Sequence, residues 1–248
     1  MKPKRLILFS ILYFILLAFE LYAEYHFFTH KDFRYLRIFQ PVLVPALISY
    51  LVFNTKIVVF NFPFWILLGL IFDWLADLIL TFYQDAFNIP SMLGYFLGLI
   101  CFATGFVKSI GKNGYNATFL NRFIFSLPPL FYLVVYYFFV QHYMSHNSAQ
   151  YMYILPAAFY SIAILAMSST ALWRIGSATD SSYWMIVAGG FFYLVSDSIT
   201  GYDHFVEPVK LRYLLTMSSY GIALYFIMLG TILHRPHLLQ TMSKKRQV

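Results

Sequence analysis

Two carboxylates, Asp73 and Asp77, stand four residues apart inside 62–82, a run otherwise long and apolar enough to cross a bilayer. Helical spacing puts them on one face, one turn apart. A carboxylate near the centre of a membrane helix costs about 2.5–3.5 kcal/mol on insertion scales. Two within one turn must face other protein or a wet cavity, so this helix has to be enclosed by others. The rest of the chain supplies them: 60% of its residues are hydrophobic and only 11% charged. Apolar runs recur along nearly the whole length, which excludes a soluble domain and equally a soluble domain carrying one anchor.

At about 20 residues per span, the chain allows about eight helices with short loops. The expected fold is all-α, a polytopic membrane protein forming a single integral membrane domain over 1–248. The spans fall at about 6–23, 38–53, 62–82, 91–107, 119–140, 152–172, 184–201 and 212–233. Asn61-Phe62-Pro63 opens the third, and Asn88-Ile89-Pro90-Ser91 opens the fourth with a proline and a serine cap. Gly111–Gly114 marks the loop that follows, and Pro128-Pro129 predicts a kink in the fifth. The N-terminal Lys2, Lys4 and Arg5 before an apolar run resemble the start of a signal peptide. Glu20, Tyr22, Glu24 and Tyr25 follow in place of a small-residue cleavage site, so the segment reads as an uncleaved first helix.

The formal charge of +7 does not point to nucleic acid, because the basic residues gather at the ends and in loops. With eight spans, twelve Lys and Arg lie on the side of both termini and five on the other. Both termini are therefore expected in the cytoplasm, of a bacterium beneath its inner membrane or of a cell with an endoplasmic reticulum. Asn116-Ala117-Thr118 fits a glycosylation pattern but falls on the cytoplasmic side of this arrangement. A single cysteine, Cys101, excludes an intrachain disulfide and a thiol-rich metal site.

A second intramembrane acid, Asp197, lies in Ala188–Ser198, a stretch with a Gly189-Gly190 pair suited to close helix approach. Ser196 and Ser198 flank it and are candidates to hydrogen-bond it. Ionisable groups at such depth are functional by default, and the chain reads as a bundle that brings Asp77 and Asp197 together. The bland alternative is that each acid bonds a neighbouring helix and only fixes packing. Asp73 has three readings: it holds substrate, shares a proton with Asp77, or reaches the mouth of an aqueous cavity. Glu20 is a candidate intramembrane acid, whereas Glu24 is expected at the interface near His26. His26/His30, His142/His146 and His234/His237 have spacings that suit a metal. All fall at or beyond span ends outside any HExxH context, so solvated histidines are expected and no metal or other cofactor is implied. Asp203-His204 suggests part of a triad but lacks an evident nucleophile. Tyr95, Tyr160, Tyr193 and Tyr220 fall within helices, as candidate walls of a pocket for an acyl-like chain.

Several segments, in order, resemble the YhhN-like lysoplasmalogenase family. Gly69–Leu80 is similar to its GL-x-F-S-x-x-GD-x-x-L segment, and Phe96–Phe102 to its next helix. Tyr160–Met167 resembles its tyrosine-to-methionine helix, and Gly189–Phe205 its GA-x-x-F-x-x-SD segment. Gln40-Pro41 and Tyr220 fall where its Lys-Pro and last-helix tyrosine would sit. The likeness covers roughly 38–230. Asp73 stands where a serine is common, Ala76 replaces a glycine and Gln40 a lysine. A histidine expected near Gly105-Phe106 and a glutamine in the last helix are missing.

The resemblance implies hydrolysis of the sn-1 vinyl ether of a lysoplasmalogen to a fatty aldehyde and a glycerophospho-head group. It implies Asp77 and Asp197 as the acid/base pair, with Asp73, Tyr160, Tyr193, Ser196 and Tyr220 around the substrate. Vinyl ethers are hydrolysed by rate-limiting protonation of carbon. That step needs a carboxylic acid still protonated near neutrality, a state that burial favours. The partners implied are a lysophospholipid and the bilayer. A proton-coupled transporter using the same acids, and a non-catalytic lipid-binding protein that kept the fold, are the rival readings.

The charge count makes a topological prediction. A cysteine at Ser145 in a Cys101→Ala background should react with an impermeant maleimide from the non-cytoplasmic side alone. Labelling from the cytoplasmic side would break the eight-span arrangement.

Overall fold

The computed structural model describes residues 3–83, 89–110, 119–146 and 151–234, and among these the regular structure is entirely helical. In chain order the helices are α1 (Pro3–His30), α2 (Leu36–Asn54), α3 (Phe62–Tyr83), α4 (Ile89–Ser109), α5 (Phe119–His146), α6 (Ile154–Leu172), α7 (Asp180–Phe205) and α8 (Arg212–Ile232). A 3₁₀ turn at Tyr151–Tyr153 leads into α6. Each expected span coincides with one helix. α1 runs on to His30, well past its expected end, because Glu20, Ala23 and Glu24 are buried against the bundle. The Gly111–Gly114 loop and Asn116-Ala117-Thr118 lie outside the described residues.

Seven of the eight helices are long and apolar enough to cross a membrane, and the chain is an integral, multi-pass membrane protein. The exception is α7, which has the length at 26 residues but carries Asp197 among serines and threonines. Its polarity is sheltered: α7 packs along α8, and α8 is the central helix, also touching α1, α2 and α3. The outward faces of α1 and α5 are apolar where they would meet lipid, as at Ile7, Leu8, Phe131 and Phe138. Pro128 and Pro129 sit inside α5, which continues through them as a single helix to His146.

Missing side chains let the helices approach. A Cβ on Gly189 would come within 2.9 Å of the Ala223 carbonyl oxygen on α8, and one on Gly230 within 3.1 Å of the Ser182 carbonyl oxygen. The α3–α4 seam works alike, with Gly94 against Ala76, and Gly98 so close to the Asp73 carboxyl that a Cβ would overlap it. Ser91 is no cap: it is buried within the first turn of α4. Thr179 caps α7, accepting the Ser182 N–H at 3.3 Å and donating to Leu233 O at 3.1 Å.

The termini end of the bundle is closed by a buried cation. Arg174, fully inaccessible, donates to Ser109 Oγ at 2.6 Å, to Ser182 Oγ at 2.9 Å and to His234 Nδ1 at 3.3 Å. Phe62 and Phe106 rings cover the guanidinium at 5.2 and 6.0 Å. His234 must stay neutral to accept that bond, and burial followed by the Arg174 charge pulls its pKa down to about 4. An unfolded chain would take up a proton near pH 6.5 that the folded chain refuses until about 4. Stability from this group is therefore complete above pH 6.5 and declines on acidification through that window. Thermal melts of the detergent-solubilised protein at pH 7.5 and 4.5 should differ less for His234→Gln than for the wild type. The contribution in question is on the order of 2–3 kcal/mol.

Candidate functional site

Three aspartates project from adjoining helix faces, and each is met by tyrosine. Asp77 on α3 accepts the Tyr95 hydroxyl of α4 at 2.5 Å and the Tyr220 hydroxyl of α8 at 3.1 Å, one on each oxygen. Asp73, one turn earlier, accepts the Tyr193 hydroxyl of α7 at 3.2 Å. Asp197 on α7 accepts the Tyr160 hydroxyl of α6 at 3.0 Å. The rings interlock edge to face, with Tyr220 meeting Tyr95 at 6.1 Å and Tyr193 at 5.8 Å between centroids. This ring cluster joins the Asp73 and Asp77 carboxyls of α3 to α4, α7 and α8, while Tyr160 holds Asp197 separately. Asp77 receives two donors, the arrangement an acceptor-only carboxylate satisfies best. The second oxygen of Asp73, against Gly98, has no partner among the described residues.

Beside this cluster lies a cavity of about 250 Å³, room for a chain-like ligand and far more than one water. Asp197, Tyr95, Tyr160, Tyr220 and Ser196 line it. Leu80, Met92, Leu133, Val140 and Ile164 give it apolar walls. Asp77, Asp73 and Tyr193 are not on its surface. Asp77 sits directly behind the wall, because the two tyrosines that bond it are themselves lining residues. Asp73 is fully inaccessible, so its reading as a residue at a cavity mouth is overturned; the Tyr193 bond and the close seam at Gly98 hold it in the core.

Two further expectations change. Neither Ser196 nor Ser198 hydrogen-bonds Asp197: Ser196 donates to Thr216 O at 3.1 Å and Ser198 to Leu194 O at 2.7 Å. Sequence neighbours on a helix point about 100° apart, so flanking hydroxyls turn away from the acid between them. Glu24 is 2% exposed and lines the cavity, not a solvated helix end, since α1 leans inward against α2 and α8. Glu20 is equally buried, and one oxygen of each glutamate has no partner among the described residues.

Thr81 and Trp74 were not singled out by sequence, and Gln40 was noted only where the resembled family has a lysine. Gln40 lines the cavity and accepts the Thr81 hydroxyl at 2.6 Å, while Thr81 also reaches Asp77 O at 2.8 Å. Trp74 Nε1 donates to Pro41 O at 2.9 Å, tying α2 to α3 beside them. A polar residue just inside each span, as at Gln40 and Thr81, was the available signal. Asp203 serves structure: it pairs with Arg212 at 2.5 Å and accepts the Val209 N–H at 2.8 Å, closing the turn into α8. His26 and His30 stack at 4.4 Å, and His142 and His146 lie 4.6 Å apart near the end of α5. His237 lies outside the described residues. No group of three or more potential metal ligands occurs among the described residues.

A family model described as the YhhN family matches residues 35–231, four-fifths of the chain, from just before α2 to the last turn of α8. No curated protein and no solved structure matches. The matched region contains all three aspartates and all four tyrosines; α1, with Glu20 and Glu24, precedes it.

The geometry predicts what the tyrosines contribute to folding. Tyr95→Phe and Tyr220→Phe each leave a buried Asp77 oxygen short of a donor, and each should destabilise by about 1–3 kcal/mol. Combining either with Asp77→Asn should cost less than the sum of the single effects, read as melting temperatures of the purified protein.

Proposed function

We propose that this chain, which belongs to the YhhN family, hydrolyses the vinyl ether of a single-chain ether lysolipid inside the membrane. The observation that carries the proposal is Asp197: an acid on the wall of a mostly apolar cavity, held by one tyrosine, in a cavity also lined by two tyrosines that bond a second acid. The apolar walls suit an alkenyl chain, and the acid lies where a reacting carbon can meet it.

In this reaction the outer alkene carbon takes the proton of the Asp197 carboxyl, which becomes a carboxylate while an oxocarbenium ion forms at the ether carbon. Water adds to that carbon and returns a proton to Asp197. The hemiacetal collapses: the carbon–oxygen bond to glycerol breaks, the hydroxyl proton passes to the glycerol oxygen, and a fatty aldehyde leaves. One water is consumed and nothing is oxidised or reduced. Tyr160 bonds one oxygen of Asp197 and leaves the other for the proton. Asp77, one hydroxyl behind the wall, positions Tyr95 and Tyr220, and its charge favours the cation through them. A hydride or group-transfer cofactor has no part in such a step. In the cell, both termini lie in the cytoplasm, so the cavity end formed by the start of α8 faces the opposite side.

Purified protein in lipid nanodiscs should release aldehyde from a 1-alkenyl lysolipid and none from the saturated 1-alkyl counterpart. Release from neither by a folded sample would leave a lipid-binding role; proton flux without lysolipid would favour a transporter. Asp197→Asn should lower kcat by about 10²–10⁴-fold, the usual worth of a general acid. Asp77→Asn should lower kcat about tenfold or more with KM little changed, as for a group acting on the transition state through others. Asp73→Ser should be tolerated. Full activity in Asp197→Asn would sink the mechanism.

A further inference from the structure

One end of the cavity differs from the rest. There the last turns of α1, the start of α2 and the start of α8 bring Glu24, Phe27, Phe33, Arg212 and Tyr213 to its lining. Phe27 packs on Phe33 at 4.1 Å and meets Tyr213 edge-on at 6.2 Å. Arg212 is fixed by Asp203 and lies over the Tyr213 ring at 4.1 Å. That leaves N–H groups of a planar, five-donor guanidinium for an anion in the cavity. Glu24 is buried on the cavity wall with an oxygen that no donor meets among the described residues; Arg212 is paired with Asp203 instead. A buried acceptor left unsatisfied is unfavourable, and a ligand that brings a donor relieves it.

We infer that Glu24 and Arg212 form a head-group subsite for a phosphoethanolamine, with its phosphate on Arg212 and its primary ammonium on Glu24. The inference rests on the lysolipid reading of the same cavity. The cavity carries the groups such a molecule needs: apolar walls, the Asp197 acid, and a cation and an acid where α1 ends and α8 begins. A primary ammonium offers N–H donors to the unpartnered Glu24 oxygen, whereas a trimethylammonium offers none and leaves that oxygen unsatisfied. The aromatic faces do not reverse this preference, because Arg212 occupies the Tyr213 face and Lys31 sits over Phe27 at 5.8 Å. Glu24 lies on α1, ahead of the matched region at 35–231, so this selectivity belongs to a part of the chain outside the family match.

The test measures binding without chemistry. Non-hydrolysable 1-alkyl lysolipids of one chain length, bearing phosphoethanolamine, phosphocholine or phosphoglycerol, are titrated into the full-length protein in detergent, with affinity read by microscale thermophoresis. The wild type should bind the ethanolamine lipid about tenfold more tightly than either other lipid. Glu24→Gln should erase that advantage while leaving phosphoglycerol affinity unchanged, and Arg212→Gln should weaken all three. Equal wild-type affinity for the three head groups would overturn the subsite while leaving vinyl ether hydrolysis standing. Equal loss across all three in Glu24→Gln would overturn it too, as a packing effect. No binding of any lysolipid would overturn the subsite and the lysolipid reading together. The wild-type comparison decides the matter even where a variant fails to fold.

Discussion

The bond from a tyrosine hydroxyl to a buried carboxyl is the interaction on which this bundle depends. Carboxyl groups in an apolar interior are tolerated only with donors at hand. Tyrosine suits the task because its ring packs like any aromatic while its hydroxyl supplies the donor at the tip. Each such bond here crosses between helices: α4 and α8 to α3 at Asp77, α7 to α3 at Asp73, α6 to α7 at Asp197. The same contacts that satisfy the acids therefore join five helices. The bonds that would position the candidate acids are thus the same ones that hold the helices together.

Much of this was legible from residues alone, and the physical reason is the bilayer. With no water to satisfy backbone groups, a spanning segment must be a helix, and its length is set by the thickness it crosses. The sequence located each helix, α7 among them although it alone falls short of the apolarity of a membrane span. The acids Asp77 and Asp197 were visible because a carboxylate in such a run is costly. What could not be read was rotation. Ser196 flanks Asp197 in sequence but turns to Thr216, and Asp73 shares a face with Asp77 yet ends sealed against Gly98. Glu24 was assigned to the interface by its distance from the start of α1, whereas the helix continues to His30 and leans inward. Burial at a helix end is a property of neighbours, and no periodicity within α1 records it.

The two ends of the bundle are built on opposite charges. At the termini end Arg174 is enclosed by serine hydroxyls, two phenylalanine rings and a neutral histidine, and its contacts fasten α4, the α6–α7 turn, α7 and the end of α8. Toward the other end the buried ionisable groups are mostly acids, with Arg212 paired to Asp203 among them. α8, the most enclosed helix, passes from one environment to the other, and its small residues at Gly221, Ala223 and Gly230 let α1 and α7 come close along the way. The Arg174 contacts thus fasten the end of the bundle opposite the Asp203–Arg212 pair and the Glu24 carboxyl.

Two of the departures from the pattern that the sequence resembles point in one electrostatic direction. An aspartate stands at position 73 where a serine is common, and Gln40 stands where a lysine would sit. The first adds a potential negative charge and the second removes a positive one, both close to Asp77. The structure accommodates each by local means: Gly98 makes room for the larger Asp73 side chain, Tyr193 supplies its donor, and Gln40 accepts from Thr81, which a lysine ammonium could not do. Counted with Glu20 and Glu24, the interior near the cavity then holds five acids against a single arginine already paired with Asp203. An apolar interior cannot keep five uncompensated charges. Such a site has to retain protons on several of its acids or draw a cation from what it binds. The first condition serves protonation of an alkene, the second recognition of an ammonium, and a site that met both would have its two tasks divided between Asp197 and Glu24.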